Sequence, residues 1–276
     1  MKHLPAIAVF LLMVSTGMSL NRREFVANWR RLTPEMWVRL LLATFIVPPS
    51  LALGLGQALP IGTGALVGLF LIAAAPGAPL MIRNAAKHGF DMQIAASYQV
   101  WGALLTPIAI PMLVGGAAWL YGREIWISPL EVLAVVAEKQ FVPLLAGMAL
   151  IHFAPGFSTQ VRRSLNVVGN LVLMVALIAL LIKLGPALEA VSPWVAIAAL
   201  TLAAGCVTAA RVLIPSVPTL AVSNVNRHVG LALLLSGEHF QNAQRALPAI
   251  AAYALAVPLV MVLYAKWVRR LSAKPA

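Results

Sequence analysis

Apolar runs long enough to cross a lipid bilayer occupy most of this chain. A helix needs about 20 apolar residues to span the hydrocarbon layer. Apolar residues make up 61% of the 276 residues and charged residues 10%, whereas soluble domains average about half and about a quarter. These properties exclude a soluble enzyme and a disordered chain, and they predict an all-α polytopic membrane protein with about nine transmembrane helices. The predicted spans are 4–20, 36–58, 60–88, 92–119, 130–153, 164–185, 192–213, 216–240 and 246–267.

The basic residues predict how the chain is oriented. The net charge is +12, which in a soluble protein would suggest nucleic acid as a partner. In a membrane protein it indicates cytoplasmic loops that face anionic lipid, so we expect the lipid bilayer and no nucleic acid as partners. Most Lys and Arg residues fall on one side of the predicted spans, beginning with the basic stretch at 22–31. The protein is therefore predicted to lie in the inner (plasma) membrane, with its N-terminus outside and its C-terminus in the cytoplasm.

Two arginines lie inside predicted spans, although a charge at membrane depth costs about 2.5–3.5 kcal/mol. Arg83 and Arg227 both follow helix breakers. Interrupted hydrophobic segments at corresponding places in two halves of a chain point to a transporter binding site. The freed backbone groups of a broken helix are tolerated in a membrane where they line a cavity or meet protein. We therefore predict two broken helices. Their breakers are Pro76, Gly77, Pro79 and Pro218.

No acidic residue accompanies these arginines, so their natural counter-charge is an anionic substrate. A guanidinium binds carboxylate, sulfate or phosphate with two parallel hydrogen bonds. The alternative is that one or both arginines reach the membrane interface or pair with helix carbonyl groups. The polar side chains beside the arginines complete the candidate substrate site. Those candidates are Arg83, Asn84, Ser223, Asn224, Arg227 and His228.

Five stretches of the chain resemble motifs of the bile acid:sodium symporter superfamily, in a nine-span form. APGAPLMIRNAAKHGFD and TLAVSNVNRHVGLALLL lie where that family has its two crossing-helix motifs. MVSTGMSLNRREF, LLTPIAIPML and FVPLLAGMAL resemble other family segments in the same order. The resemblance implies an inverted-repeat transporter with alternating access and a single transmembrane domain, 1–276. Its panel-like part would be 4–22 and 129–185, and its core-like part would be 36–119 and 192–267.

The resemblance also implies sodium sites, and the chain departs from them. The matching positions hold Met81 and Ile82, Ala95 and Gln99, and Ser223 and Arg227. Met and Ile offer no oxygen ligand, and a fixed guanidinium repels a cation. We therefore expect no sodium or other metal site. We expect Gln99 to join the substrate-binding residues, and Arg227 to supply permanently the charge that sodium supplies in relatives.

These observations predict a secondary transporter for a small organic anion that is not driven by sodium. It would act as a uniporter, an exchanger or a proton-coupled carrier, with His228 as the titratable group in the last case. Alternatives are an oxyanion or arsenite-type efflux carrier, or a non-transporting membrane binder or sensor. Cys206, the only cysteine, lies outside the crossing motifs and gives no support to a thiol-based arsenite site. HExxH and GxSxG motifs are lacking, so we expect neither enzymatic activity nor a cofactor. The substrate and the oligomeric state stay open.

Overall fold

Every regular element in the described part of the chain is a helix. Five of these helices are long and apolar enough to cross a membrane: Pro34–Ala58, Met92–Leu120, Pro129–Phe153, Pro193–Leu213 and Leu247–Leu271. The predicted all-α polytopic membrane class is thereby confirmed. The structure is a computed structural model, and it describes residues 4–20, 23, 27, 33–78, 81–121, 128–154, 160–165, 167–169, 171, 172, 175, 191–239 and 245–272.

The helices follow the predicted spans to within a few residues. The runs predicted at 60–88 and 216–240 are each divided into two half-helices. The run predicted at 164–185 lies largely outside the described residues, as does the predicted helix breaker Pro79. The helices are α1 (Leu4–Ser19), α2 (Pro34–Ala58), α3 (Thr63–Ala74), α4 (Met81–Lys87), α5 (Met92–Leu120), α6 (Pro129–Phe153), α7 (Pro193–Leu213), α8 (Pro218–Val225), α9 (Val229–His239) and α10 (Leu247–Ser272).

Helix α2 contains a π turn just before two prolines. In the π turn at Leu42–Ile46, backbone carbonyls pair with the N–H five positions further on instead of four. Pro48 and Pro49 carry no N–H. The carbonyl oxygens of Ala43 and Thr44 therefore have no donor within the helix. Buried backbone oxygens are almost always paired, so these two require donors from another part of the chain.

The two broken helices meet at their breaks. Pro76, between α3 and α4, pairs in antiparallel fashion with Arg227, between α8 and α9. The Ala78 N–H donates to the Asn226 carbonyl oxygen at 3.2 Å, and the His228 N–H donates to the Ala75 carbonyl oxygen at 2.8 Å. This short backbone pairing satisfies groups that the breaks remove from the helices. The prediction of two crossing broken helices is confirmed.

The first break contains a glycine in a conformation that other residues rarely adopt. Gly77 has a φ of +83°, in the left-handed region that suits glycine. A β-carbon there would also lie 3.3 Å from the Gln99 carbonyl oxygen on α5. Gly77 therefore allows the chain both to turn and to pass close to α5. The predicted role of Gly77 as a helix breaker agrees with this geometry.

Helices α1 and α6 pack with their backbones almost in contact. A β-carbon on Gly17 of α1 would collide with the backbone of Leu144, and one on Gly147 of α6 would collide with the backbone of Val14. Small residues are what allow such close packing of membrane helices. The other helices share a second, larger core. Its fully buried members include Leu69, Ile72, Leu202, Leu235 and Ile250.

Candidate anion-binding cavity and crossing network

A cavity of about 280 Å³ lies between α1 on one side and α4 and α5 on the other. Arg83, on α4, is exposed and lines it. Among the described lining residues, Arg83 is the only charged one. The rest of the lining is hydroxyl, amide and apolar. It comprises Ser15, Thr16, Ser19, Leu20, Ile82, Ala86, Met92, Gln93 and Ala96.

The guanidinium of Arg83 is available to a ligand. Within the described residues, Arg83 makes no hydrogen bond and no ion pair. Its neighbour along the helix, Asn84, is instead bonded to Asn226, with Nδ2 donating to Oδ1 at 2.7 Å. A guanidinium has five donors in a planar fork that matches a carboxylate or another oxyanion. The cavity therefore presents a permanent cation with unused donors.

The polar wall opposite Arg83 consists mainly of hydroxyl groups on α1. Ser15, Thr16 and Ser19 line the cavity from that helix. Gln93 of α5 joins the two walls, because its Nε2 donates to the Ser19 carbonyl oxygen at 3.3 Å. Hydroxyl groups both donate and accept hydrogen bonds. This wall can therefore bind the polar, uncharged part of a ligand whose negative charge is held by Arg83.

Arg227 occupies a different environment from Arg83. It is only 2% exposed, and it does not line the cavity. Its Nη1 donates to the Thr44 carbonyl oxygen at 2.9 Å, and its Nη2 donates to Asn224 Oδ1 at 2.9 Å. Cys206 Sγ accepts a longer contact from the same Nη2 at 3.8 Å. The sequence grouped Arg227 with Arg83 as a substrate ligand, whereas the described geometry matches the alternative of pairing with helix carbonyl groups.

The partner of Arg227 is one of the two carbonyl groups that the π turn leaves free. Thr44 O receives the Arg227 guanidinium, and Ala43 O receives Asn224 Nδ2 at 2.9 Å. Both donors come from the segment around the second break. The carbonyl oxygens left free in α2 thus accept hydrogen bonds from the side-chain donors at the second break. This explains how a guanidinium without an acidic partner is accommodated in the protein interior.

Two tyrosines complete this buried network. The Tyr98 hydroxyl of α5 donates to Asn224 Oδ1 at 2.8 Å and lies 3.2 Å from Thr44 Oγ1. The Tyr253 hydroxyl of α10 donates to the Val225 carbonyl oxygen at 2.8 Å, at the end of α8. The network therefore connects α2, α5, α8 and α10 at the level of the crossing.

His228 is held as a helix cap. Its Nδ1 accepts the Leu231 backbone N–H at 3.0 Å, at the start of α9, and its side chain is buried. A nitrogen that accepts a hydrogen bond carries no proton. The predicted role of His228 in proton coupling would require breaking this cap.

The remaining predicted residues are buried near the crossing. Gln99 Nε2 contacts Met13 Sδ of α1 at 3.1 Å. Gln99 Oε1 and Ser223 Oγ have no hydrogen-bond partner among the described residues. Pro218 occupies the first turn of α8, where proline is well tolerated. Gln99 lies about one turn beyond the cavity-lining Ala96 on α5 and is not itself part of the lining.

Three of the six positions that the resemblance matches to sodium ligands hold apolar side chains. Met81 and Ala95 are fully buried, and Ile82 is 8% exposed. None of these side chains carries an oxygen atom, and sodium is bound through oxygen. The predicted loss of both sodium sites stays a prediction, and this chemistry supports it.

Sequence reasoning did not identify Thr44, Tyr98 or the hydroxyl wall of α1 as parts of these sites. The Pro48–Pro49 pair was a usable signal for Thr44, because consecutive prolines leave free carbonyl groups four and five residues earlier. Three hydroxyl residues within five positions, at 15–19 of an apolar span, were a signal for the cavity wall.

Comparison with known protein families gives one match. The model of the sodium bile acid symporter family matches residues 6–190. This range contains α1 to α6, the first break and Arg83, and it ends before α7 and the second break. No curated protein matches the sequence significantly.

Proposed function

The chain belongs to the sodium bile acid symporter family, and from that premise we propose that it carries a small organic anion across the membrane without sodium. It is a membrane transporter by family, in agreement with the expectation that it is not an enzyme. The anion, the mechanism of coupling and the binding residues are our proposal. The observation that carries it is the unpaired guanidinium of Arg83 in the cavity beside α1.

The proposed anion is small and carries one negative charge. A volume of about 280 Å³ corresponds to about nine water molecules at about 30 Å³ each. Such a space suits a carboxylate of similar atom count. The lining supplies one cation, Arg83, so a monoanion gives a neutral complex. The hydroxyl groups of α1 favour a substrate with further polar groups.

Sodium has no role in the proposed mechanism. Arg227 takes the place of a bound cation, because its guanidinium engages the Thr44 carbonyl oxygen and the Asn224 amide oxygen. These are the kinds of oxygen atoms that bind alkali-metal ions. In this proposal Arg227 holds the crossing together as a fixed charge, and Arg83 contacts the anion. Asn84 links the two, since it is bonded to Asn226 next to Arg227.

Alternating access would come from movement of one helix group against the other. We propose a panel formed by 4–22 and 129–185 and a core formed by 36–119 and 192–267. The tight packing of α1 on α6 supports the panel. The cavity lies between the two groups, where such a movement would open and close it. With the N-terminus outside, the cavity would face the cytoplasm.

An oxyanion carrier is the second candidate, because the Arg83 fork would also accept sulfate or phosphate. A thiol-based arsenite carrier receives less support, since Cys206 is fully buried and does not line the cavity. A binder or sensor that does not transport would use the same cavity, and only transport measurements distinguish it.

A ligand screen tests the proposal. The purified protein is melted with acetate, lactate, pyruvate, glycerate, sulfate, phosphate or taurocholate, in sodium and in choline buffers. Ligands that bind the native state raise the melting temperature. We expect a small monocarboxylate to stabilise equally in both buffers and taurocholate not to stabilise.

The variant Arg83→Gln should weaken this binding at least tenfold, since a charge-assisted hydrogen bond contributes about 1.5–3 kcal/mol. Lys87→Gln is the matched control. It removes one positive charge from the same short helix, at an exposed residue outside the cavity lining, and should bind as the wild type does. Stabilisation that requires sodium, or that survives Arg83→Gln, would contradict the proposal.

A further inference from the structure

Among the described residues, none supplies a counter-charge to Arg83 in the cavity. Four acidic side chains are described, Glu35, Asp91, Glu131 and Glu138, and none lines the cavity. Glu35 and Glu138 pair with Arg39 and Lys139. An empty cavity therefore contains an uncompensated guanidinium.

Asp91 is the described acid nearest to Arg83 along the chain, and it is engaged elsewhere. Its Oδ1 accepts the backbone N–H groups of Gln93 and Ile94, at 2.7 and 3.1 Å, as the N-cap of α5. No ion pair joins it to Arg83. Asp91 therefore caps α5 and does not pair with Arg83.

We infer that the protein is an obligate anion exchanger, in which Arg83 allows the carrier to change sides only with an anion bound. This inference rests on the proposed function and specifies its mode among uniport, exchange and proton coupling. Apolar residues, among them Ile82, Met92 and Ala96, line the cavity beside Arg83, and the hydroxyl groups of α1 form the opposite wall. Closing α1 over these apolar residues removes water from the guanidinium. With an anion bound, the closing cavity contains a neutral ion pair, and without one it contains a bare charge.

Enclosing a bare charge costs more free energy than enclosing a neutral ion pair. This difference sets how much more slowly the empty carrier changes sides than the loaded carrier does. Enclosing an unpaired arginine in an apolar membrane environment is strongly unfavourable. A cost at the lower end of the measured range slows the empty carrier by about 100-fold. Neither sodium nor a proton relieves this cost, because both are cations. The carrier returns at the rate of the loaded form only when it has bound a second anion on the far side.

Proteoliposomes distinguish exchange from net transport. Radiolabelled acetate, lactate, pyruvate, glycerate, sulfate and phosphate are offered outside in turn. The vesicles contain either the same unlabelled anion or potassium polyglutamate, a polymer too large for the cavity. Valinomycin and equal potassium on both sides hold the membrane potential at zero, so charge accumulation does not limit net uptake.

The expected result is an initial rate about 100-fold higher with the small anion inside, for at least one of the six probes. Lys87→Gln should retain this exchange and Arg83→Gln should lose it, while both variants keep the wild-type melting temperature. Equal rates with both internal solutions would overturn the exchange inference and leave the proposed function standing. Absence of uptake for all six probes under both conditions would overturn both.

Discussion

The Arg227 guanidinium donates a 2.9 Å hydrogen bond to the backbone oxygen of Thr44, a residue 183 positions earlier in the chain. Both residues are buried. The bond joins the second broken helix to the π turn of α2, where Pro48 and Pro49 leave that oxygen without a helical donor. A polar defect in one helix is thus matched by a charged side chain at the break in another.

Removal of the Arg227 side chain should destabilise the protein. In Arg227→Met the Thr44 oxygen stays buried without a donor, which costs about 1–3 kcal/mol. The measurement is the free energy of unfolding in detergent. Arg39→Gln is the control, since Arg39 pairs with Glu35 at an exposed site, and exposed pairs contribute about 0–1 kcal/mol. An equal loss of unfolding free energy in the two variants would mean that the Thr44 hydrogen bond adds no more stability than an exposed ion pair.

Pro48→Ala should partly compensate for the loss of Arg227. The alanine supplies an N–H four residues after Thr44, so the freed oxygen regains a donor within α2. We expect Arg227→Met to cost at least about 1 kcal/mol less in the Pro48→Ala background than in the wild type. A double-mutant cycle of unfolding free energies measures this difference. Additive effects would show that the π turn and Arg227 are independent.

Gly147→Ala should disrupt the packing of α1 on α6. The added methyl group would collide with the Val14 backbone, which cannot rotate away as a side chain can, and overpacking costs about 1–3 kcal/mol. Gly115→Ala on α5 is the control, because its β-carbon meets no atom within 4 Å and alanine favours helix. Melting temperatures should fall for the first variant and stay level or rise for the second.

Anion binding should be independent of pH between 7 and 9 for a ligand whose own pKa is below 5. Arg83 is the only titratable group among the described residues that line the cavity, and an arginine keeps its proton throughout.

Isothermal titration at three pH values checks the pH independence. A dissociation constant that falls tenfold per pH unit of acidification would indicate that a proton binds together with the anion. His228→Asn would then identify the group, because asparagine can accept the Leu231 N–H without titrating.

The spans and the two breaks could be predicted from sequence because their causes are local. An apolar run of about 20 residues forms a helix in a bilayer, because the helix pairs its backbone groups within the segment. Pro76 and Gly77 interrupt such a helix. The position of Arg83 on a short half-helix after the first break follows from the same reasoning. Such predictions need no knowledge of which helices are neighbours.

The partners of Arg227 could not be predicted in the same way. Charge alone made Arg83 and Arg227 look equivalent, whereas one faces a cavity and the other a pair of carbonyl groups on α2. The difference depends on a π turn and on the packing of segments far apart in sequence. Thr44 and Tyr98 carry no charge and lie in no motif, so nothing marked them before the helices were assembled.

Main-chain atoms make the pairing of Ala75–Ala78 with Asn226–His228. The position of the two breaks therefore depends on the backbone, whereas ion binding there would depend on side chains. Main-chain bonds persist when side chains change, so ligand positions at the break can be replaced one at a time without unfolding the protein. Met81, Ile82 and Arg227 stand where relatives are expected to bind sodium, and the helices still cross. The backbone pairing therefore holds the two breaks together with these side chains in place.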